Sequence, residues 1–167
     1  MPGQHPQTLT EIFKSEYRNL IAVLSNYYGV SDIQLAEDIV SDTFTKAMKS
    51  WSHKGVPQNP RAWLRKVAQN LYYEHIRREK TFEEKIRPEF SNKEVTVPSL
   101  EITDQLIEDS QLRMIFILCD PQLATDAQLC LALRILCGFT TDEISKALLS
   151  NKEAVNKKLY RAKKELR

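Results

Sequence analysis

Apolar residues recur at helical spacing along most of this 167-residue chain. Leu9, Ile12, Phe13, Tyr17, Leu20, Ile21 and Leu24 predict a first amphipathic helix. Thr8 and Glu11 read as a capping box at its start, and Gly29 is placed to end it. A second box, Ser31 with Gln34, opens a helix to about Trp51. Its apolar stripe is Leu35, Ile39, Val40, Thr43, Phe44, Ala47, Met48 and Trp51, and the opposite face carries Glu37, Asp38, Ser41, Asp42, Lys46 and Lys49. Residues 52–59 have the composition of a loop. Asn59 is a suitable N-cap with Pro60 in the first helical position, and a third helix runs to about Lys80, burying Leu64, Val67, Ala68, Leu71 and Ile76.

From Thr81 to about Thr103 the periodicity fails, and Pro88, Pro98 and scattered charges predict a linker. Leu106, Ile107, Met114, Ile115 and Leu118 restore a helical pattern that Asp120-Pro121 breaks. Thr125 or Asp126 can cap the next helix, with Leu129, Cys130, Leu133, Ile135 and Leu136 as its core face and Gly138 as its stop. Residues 140–149 form a short amphipathic helix, 150–154 a tight link, and Val155 onward a very basic helix, the pattern of a helix-turn-helix whose second helix enters a DNA major groove. Few glycines and no clear strand-like runs favour an all-α chain. The expected organisation is two small helical domains, residues 8–80 and 104–167, joined by a linker over 81–103.

The net charge of +2 says little, but its distribution says more. Residues 151–167 hold seven Lys/Arg against Glu153 and Glu165, and residues 61–80 hold six against Glu74 and Glu79. Between them, residues 101–126 hold six acids against Arg113. Two basic faces separated by an acidic stretch suit two contacts with a polyanion. No apolar run reaches the ~18–20 residues that span a membrane, and the N-terminus has neither the basic nor the apolar region of a signal peptide. Cys119, Cys130 and Cys137 make no disulfide framework, and core packing in a cytoplasmic protein is expected for them.

In the C-terminal pair, Ile144, Ala147 and Leu148 are expected to pack on Val155, Leu159 and Ala162. Lys152, Asn156, Lys157, Lys158, Tyr160, Arg161, Lys163 and Lys164 are then the candidate duplex contacts: cations for phosphate, Asn and Lys for base edges. The third helix interleaves cations with aromatics, as a platform for unpaired bases does. Its candidates are Arg61, Trp63, Arg65, Lys66, Asn70, Tyr73 and Arg77. Trp63 fits either base stacking or core packing. Tyr72 and Tyr73 are adjacent, so one of them is expected to be exposed. Glu37, Asp38 and Asp42 read as a solvated or a protein-docking face. His5, His53 and His75 are scattered, and there is no zinc spacing, Gly-rich phosphate loop or nucleophile elbow. Neither a cofactor, a metal nor enzymatic chemistry is expected.

Ala36-Glu-Asp-Ile-Val-Ser-Asp-Thr-Phe-Thr-Lys-Ala resembles region 2.2 of sigma-70 family factors of the extracytoplasmic-function (ECF) group. Pro60-Arg-Ala-Trp-Leu-Arg-Lys-Val-Ala-Gln-Asn-Leu, with Tyr73-Glu-His-Ile-Arg-Arg-Glu-Lys, resembles their regions 2.3 and 2.4. Glu143-Ile-Ser-Lys-Ala-Leu and Val155-Asn-Lys-Lys-Leu-Tyr-Arg-Ala-Lys-Lys-Glu-Leu resemble region 4.2. The resemblance implies a transcription-initiation factor that binds core RNA polymerase through Glu37, Asp38 and Asp42. It implies that residues 52–80 capture unpaired bases of the −10 promoter element and that the helix-turn-helix reads the −35 duplex. An anti-sigma factor is implied as a candidate regulator. Many ECF factors have Gly at the helix-turn-helix turn and Gly-Thr before the recognition helix; here Leu149 and Glu153-Ala154 stand in those places. Residues 109–121 with Leu148-Leu149 look most like the ECF subgroup that carries a long C-terminal helical extension, so a regulatory extension after residue 167 is also expected. The alternatives are a duplex-binding helix-turn-helix repressor or activator, and a helical adaptor for acidic proteins. A simple repressor would not need an aromatic-basic third helix together with an acidic second one.

Overall fold

Helix α1 (Leu9–Tyr28) is buried around its whole circumference over Leu20-Ile-Ala-Val-Leu24. A helix that is apolar on every side must be covered on every side, and the other helices do so from two directions. The computed structural model describes residues 9–28, 33–86 and 99–166. On one side of α1 lie α2 (Ile33–Lys54) and α3 (Pro60–Ile86); on the other lie α4 (Asp104–Leu118) and α5 (Thr125–Ile135). The chain then closes with α6 (Thr141–Ala147) and α7 (Lys152–Glu165), which pack on each other and, through α7, on α5. The described residues contain no strand.

One core therefore runs through both halves, from Ile33, Val40 and Tyr72 through Leu20 and Leu24 to Met114, Leu131, Ile144 and Val155. A satellite cluster of Ala47, Trp51 and Leu64 lies beyond it, covered by Ile12, Phe13, Phe44 and Trp63. Tyr72 is the largest plug on α3, edge-on to Tyr28 at 5.0 Å and to Tyr27 at 6.0 Å.

A carboxylate sits inside this packing. Glu16 is fully buried and takes Arg61 at 3.0 Å, Arg65 at 3.1 Å and the Asn19 amide at 3.0 Å. Charge at the centre of a helix seam is tolerable only when paired and hydrogen-bonded in this way, so the α1–α3 register is fixed by a chemical match as well as by shape.

Local signals set most helix starts. The Asn59 side chain accepts from Ala62 N–H at 3.0 Å, Thr103 from Leu106 N–H at 3.2 Å, and Asn151 from Ala154 N–H at 2.7 Å. Thr140 and Glu143 complete a capping box before α6. Helix α5 begins after Ala124 without a side-chain cap, so neither Thr125 nor Asp126 has the capping role expected of it. The boxes at Thr8 and Ser31 and the stop at Gly29 lie outside the described residues. Gly138 ends the turn after α5 with φ 68°, and a Cβ there would lie 3.3 Å from Arg18 Cγ and 3.4 Å from the Lys14 carbonyl oxygen. It both reverses the chain and admits α1.

The structure corrects several expectations. Helix α3 continues six residues beyond Lys80 to Ile86, carrying an exposed Phe82, because nothing in 81–86 breaks a helix before Pro88. Helix α7 starts at Lys152, since Asn151 caps it, so Lys152-Glu-Ala is its first turn rather than a link. Met48, Ile115, Leu129 and Ala147 are exposed, and Cys119 and Cys137 are exposed while Cys130 alone of the three is buried. Tyr73 is half-buried beside the buried Tyr72, so neither tyrosine is free in solvent.

At the turn of the helix-turn-helix Leu149 adopts φ 49°. Ser150 N–H donates to Ser145 C=O at 2.8 Å and Leu149 N–H to Lys146 C=O at 3.3 Å, the pair of bonds that closes a helix through a left-handed residue. Glycine is the residue that fits there without steric cost.

Two stability measurements test this account. Leu149→Gly removes a left-handed penalty of about 1–2 kcal/mol and returns up to about 1 kcal/mol through greater unfolded-chain freedom. Because Leu149 is 96% exposed and loses no packing, urea denaturation is expected to show a net gain of about 0.5–1 kcal/mol. Glu16→Ala strips Arg61 and Arg65 of a shared buried partner and is expected to cost about 3 kcal/mol; a loss below about 1 kcal/mol would mean that the two guanidiniums are held by other groups.

Candidate nucleic-acid interface

Val155, Leu159 and Ala162 turn inward on α7 and meet Ile144 of α6, and this packing decides which basic residues face out. Asn156, Lys157, Tyr160, Arg161 and Lys164 are exposed. Their spacing (i, i+1, i+4, i+5, i+8) makes them one continuous stripe along the helix. Lys152 begins the stripe but is paired with Asp142 at 2.8 Å, and Asp142 also takes Lys146 at 2.8 Å. These two ammonium groups hold the Asp142 carboxyl down at about 2. Lys158 is half-buried and reaches back to Asp126 of α5 at 2.7 Å, lowering the pKa of that carboxyl.

Lys163 lies apart from the other seven. It points toward α2, where it is bonded to the Glu37 carboxylate and lies 3.4 Å from Gln34 Oε1. Glu37 is accordingly buried, and it was expected on an open face. It also accepts from the Tyr17 hydroxyl at 3.4 Å and pairs with Arg134 of α5 at 3.5 Å, whose guanidinium lies 5.4 Å over the Tyr17 ring. Burial first, and then the neighbouring Glu37 charge, push the Tyr17 hydroxyl up to about 12. Asp38 and Asp42, one turn apart, remain exposed on α2.

The α3 candidates divide in the same way. Lys66, Asn70, Tyr73 and Arg77 follow i, i+4, i+7 and i+11 and share one face; all but Tyr73 are exposed. Arg61 and Arg65 lean back onto Glu16, and Arg65 also holds Asp104 of α4 at 2.7 Å. The Tyr73 hydroxyl accepts from Leu100 N–H at 2.7 Å, while the Gln69 amide donates to the Leu100 carbonyl. Trp63 is part of the satellite core, edge-on to Trp51 at 5.4 Å, so core packing is the reading that the structure favours for it.

Four residues that organise this surface have no role in the sequence-derived site: Glu16, Arg134, Asp126 and Asp142. Glu16 carried a signal, since it sits three residues after Phe13 and four before Leu20, on the apolar face. The partners of Asp126, Asp142 and Arg134 depend on which helices meet, and no local pattern announces them. Among the described residues, no group of His, Cys, Asp and Glu could hold a metal ion, and no helix is long and apolar enough to cross a membrane.

Comparison with known proteins finds two family matches along the chain. Residues 12–82 match the family model of Sigma-70 region 2, and residues 113–166 match that of Sigma-70, region 4. An uncharacterised protein of Rhizobium meliloti (strain 1021) is 31% identical over 136 residues, which are 79% of this chain but 32% of that protein, so the chain spans about a third of that relative's length. The ECF RNA polymerase sigma factor SigX of Bacillus subtilis (strain 168) is 22% identical over 163 residues, 96% of this chain and 82% of SigX. No solved structure matches the chain. With a region 2 built on α1–α3 and a region 4 ending in the α6–α7 pair, in that order, this chain belongs to the sigma-70 family of RNA polymerase sigma factors, in its extracytoplasmic-function group.

Proposed function

We propose that this chain binds core RNA polymerase and directs it to promoters, initiating transcription without catalysing a reaction itself. The observation that carries the reading is the pairing of two exposed basic stripes of different character, one on each region. On α7, Lys157, Arg161 and Lys164 supply phosphate contacts, and Asn156 and Lys157 have the donors and acceptors that read adenine and guanine edges in a −35 duplex. Tyr160 adds an exposed apolar ring that can lie against a thymine methyl group. On α3, Lys66, Asn70 and Arg77 track the backbone of the unpaired −10 strand. Tyr73 becomes available to a base only when Leu100 leaves its hydroxyl. Asp38 and Asp42 form the open part of the polymerase-docking face, with Glu37 set behind them.

The reading differs from that of a duplex-binding repressor in requiring core polymerase. The purified chain is expected to co-purify with core polymerase and to support run-off transcription from the promoters it selects. A chain that binds duplex DNA tightly yet gives neither polymerase association nor a promoter-dependent transcript is a repressor or activator instead.

Lys157→Glu tests the recognition stripe. The side chain is exposed, so folding is expected to be unchanged. Reversing one charge is expected to weaken duplex binding by about tenfold or more at moderate salt and to flatten the dependence of affinity on salt by about one ion. Wild-type affinity and salt slope in a fluorescence-anisotropy titration would remove α7 from the interface.

A further inference from the structure

Helix α3 is longer than its packing requires. Among the described side chains its last core-facing one is Ile76, and Arg77, Arg78, Glu79, Lys80, Thr81 and Phe82 are all exposed. Phe82, 66% exposed, adds nothing to the core. It lines an open cleft of about 340 Å³ with Arg77, Arg78 and Thr81. We propose that these four residues form a stacking site for an unpaired nucleobase, which carries the strand track of α3 beyond Arg77 and round the end of the helix. The proposal rests on the sigma-factor reading above and adds Arg78, Thr81 and Phe82 to its DNA-contacting residues.

The chemistry of the cleft selects this ligand. An unpaired base offers a π-face to Phe82, and its flanking phosphates offer anions to the two guanidiniums. Arg78 lies one turn before Phe82 and therefore on the same side of the helix, where its planar head can hold a phosphate or lie against the base. Neither Arg77 nor Arg78 has an ion pair among the described residues, whereas Arg61 and Arg65 near the other end of α3 are held by Glu16 and Asp104. Of the flanking acids, Glu79 lies 3.1 Å from His75 Nε2. The Thr81 hydroxyl donates to the Arg77 carbonyl at 2.9 Å, and its oxygen keeps the capacity to accept from a base amine.

The surroundings argue against a protein anchor. An apolar docking face gathers several large side chains in one patch, as Leu112, Ile115 and Phe116 do on α4. Phe82 has no such company: among the described residues, no other exposed large apolar side chain lies between Val56 and Leu112 in the chain. A single aromatic set among cations is instead the pattern on which single strands stack with little regard to sequence. The site is also continuous with the proposed track. From Lys66 to Arg77 the helix rises about 16 Å at about 1.5 Å per residue, the length of about five nucleotides at about 3.4 Å each. Arg78 stands about 100° round the helix from Arg77, and Phe82 follows one turn after Arg78, so a strand leaving the face at Arg77 is led onto the ring.

The test uses the full chain, alone and bound to core polymerase. The probes are a mixed-sequence single-stranded oligonucleotide and the duplex of the same sequence, titrated by fluorescence anisotropy. Phe82→Ala is expected to weaken single-strand binding by about fivefold or more and to leave duplex binding unchanged. Phe82→Trp is expected to keep the affinity, and its added indole emission to be quenched by the single strand, a signature that Trp51 and Trp63, held in the satellite core, do not supply. Arg78→Gln is expected to weaken single-strand binding and to flatten its salt dependence by about one ion. Both side chains are exposed, so an unchanged urea midpoint is expected for each variant. Wild-type single-strand affinity in Phe82→Ala, or an equal loss on single strand and duplex, would overturn the platform. So would a loss confined to core-polymerase affinity, or one confined to binding of anionic phospholipid vesicles, which would make Phe82 a protein or a lipid anchor. A wild type that recruits no core polymerase, yet binds the single strand through Phe82, would remove the sigma-factor reading and leave the stacking site standing.

Discussion

The structure depends on a segment of α1 that has no polar side. Leu20 to Leu24 are five consecutive buried residues, so successive side chains point in every direction around the helix and each direction must be filled. Helices α2 and α3 of region 2 cover it with Ile33, Val40, Ala68 and Tyr72, and α4 and α5 cover it with Ile107, Met114, Leu118 and Leu131. A stripe confined to one face would have let the two regions fold as separate bodies. A helix that is apolar all round makes each region part of the other's solvent shield, at about 1.5–3 kcal/mol for each large side chain kept from water.

Shape alone would not fix how the halves meet, because an apolar seam tolerates sliding and rotation. The charged groups supply the register. Glu16 ties α1 to α3 through two guanidiniums, and Glu37 ties α2 to α5 and α7. Both carboxylates sit at helix crossings, where a displaced partner would leave a buried charge alone, a penalty of several kcal/mol. These two sites therefore convert a non-directional attraction into one arrangement.

The helices and the helix-turn-helix were legible in the sequence because their signals are local. The Asn59 cap and the inward row of Val155, Leu159 and Ala162 can be read from a few adjacent residues, whereas Thr140 and Asn151 prove to be caps where the pattern predicts a helical residue and a link. Glu37 was assigned to an open face because helical periodicity sets it beside Asp38 and Asp42. Periodicity cannot foresee that another helix brings Lys163 to it. Leu149 was noticed as a substitution for glycine, but its left-handed conformation became visible only with the turn's two backbone bonds. The candidates that moved most, Arg61, Arg65, Tyr73 and Lys163, are long side chains whose tips reach groups 27 to 126 positions away in the chain. A basic residue read from sequence is a donor in search of an acceptor, and the sequence does not say whether that acceptor is a phosphate or a carboxylate of its own chain.

That ambiguity has a physical resolution. The acidic stretch between the two basic faces supplies internal partners, Asp104 for Arg65 and Asp126 for Lys158, and Asp142 does the same for Lys152. All three carboxylates retain substantial exposure, and exposed pairs contribute only about 0–1 kcal/mol. Nucleic acid offers a denser charge and the release of condensed counterions, so a phosphate can replace such a carboxylate with no helix moving. The exchange at Lys163 is of another kind. Its side chain is 20% exposed and its partner 9%, so a phosphate cannot reach the ammonium until α7 and α2 part. Under the proposed function, Lys152 and Lys158 are therefore held by carboxylates that a phosphate can displace in place, whereas Lys163 is freed only when α7 and α2 part.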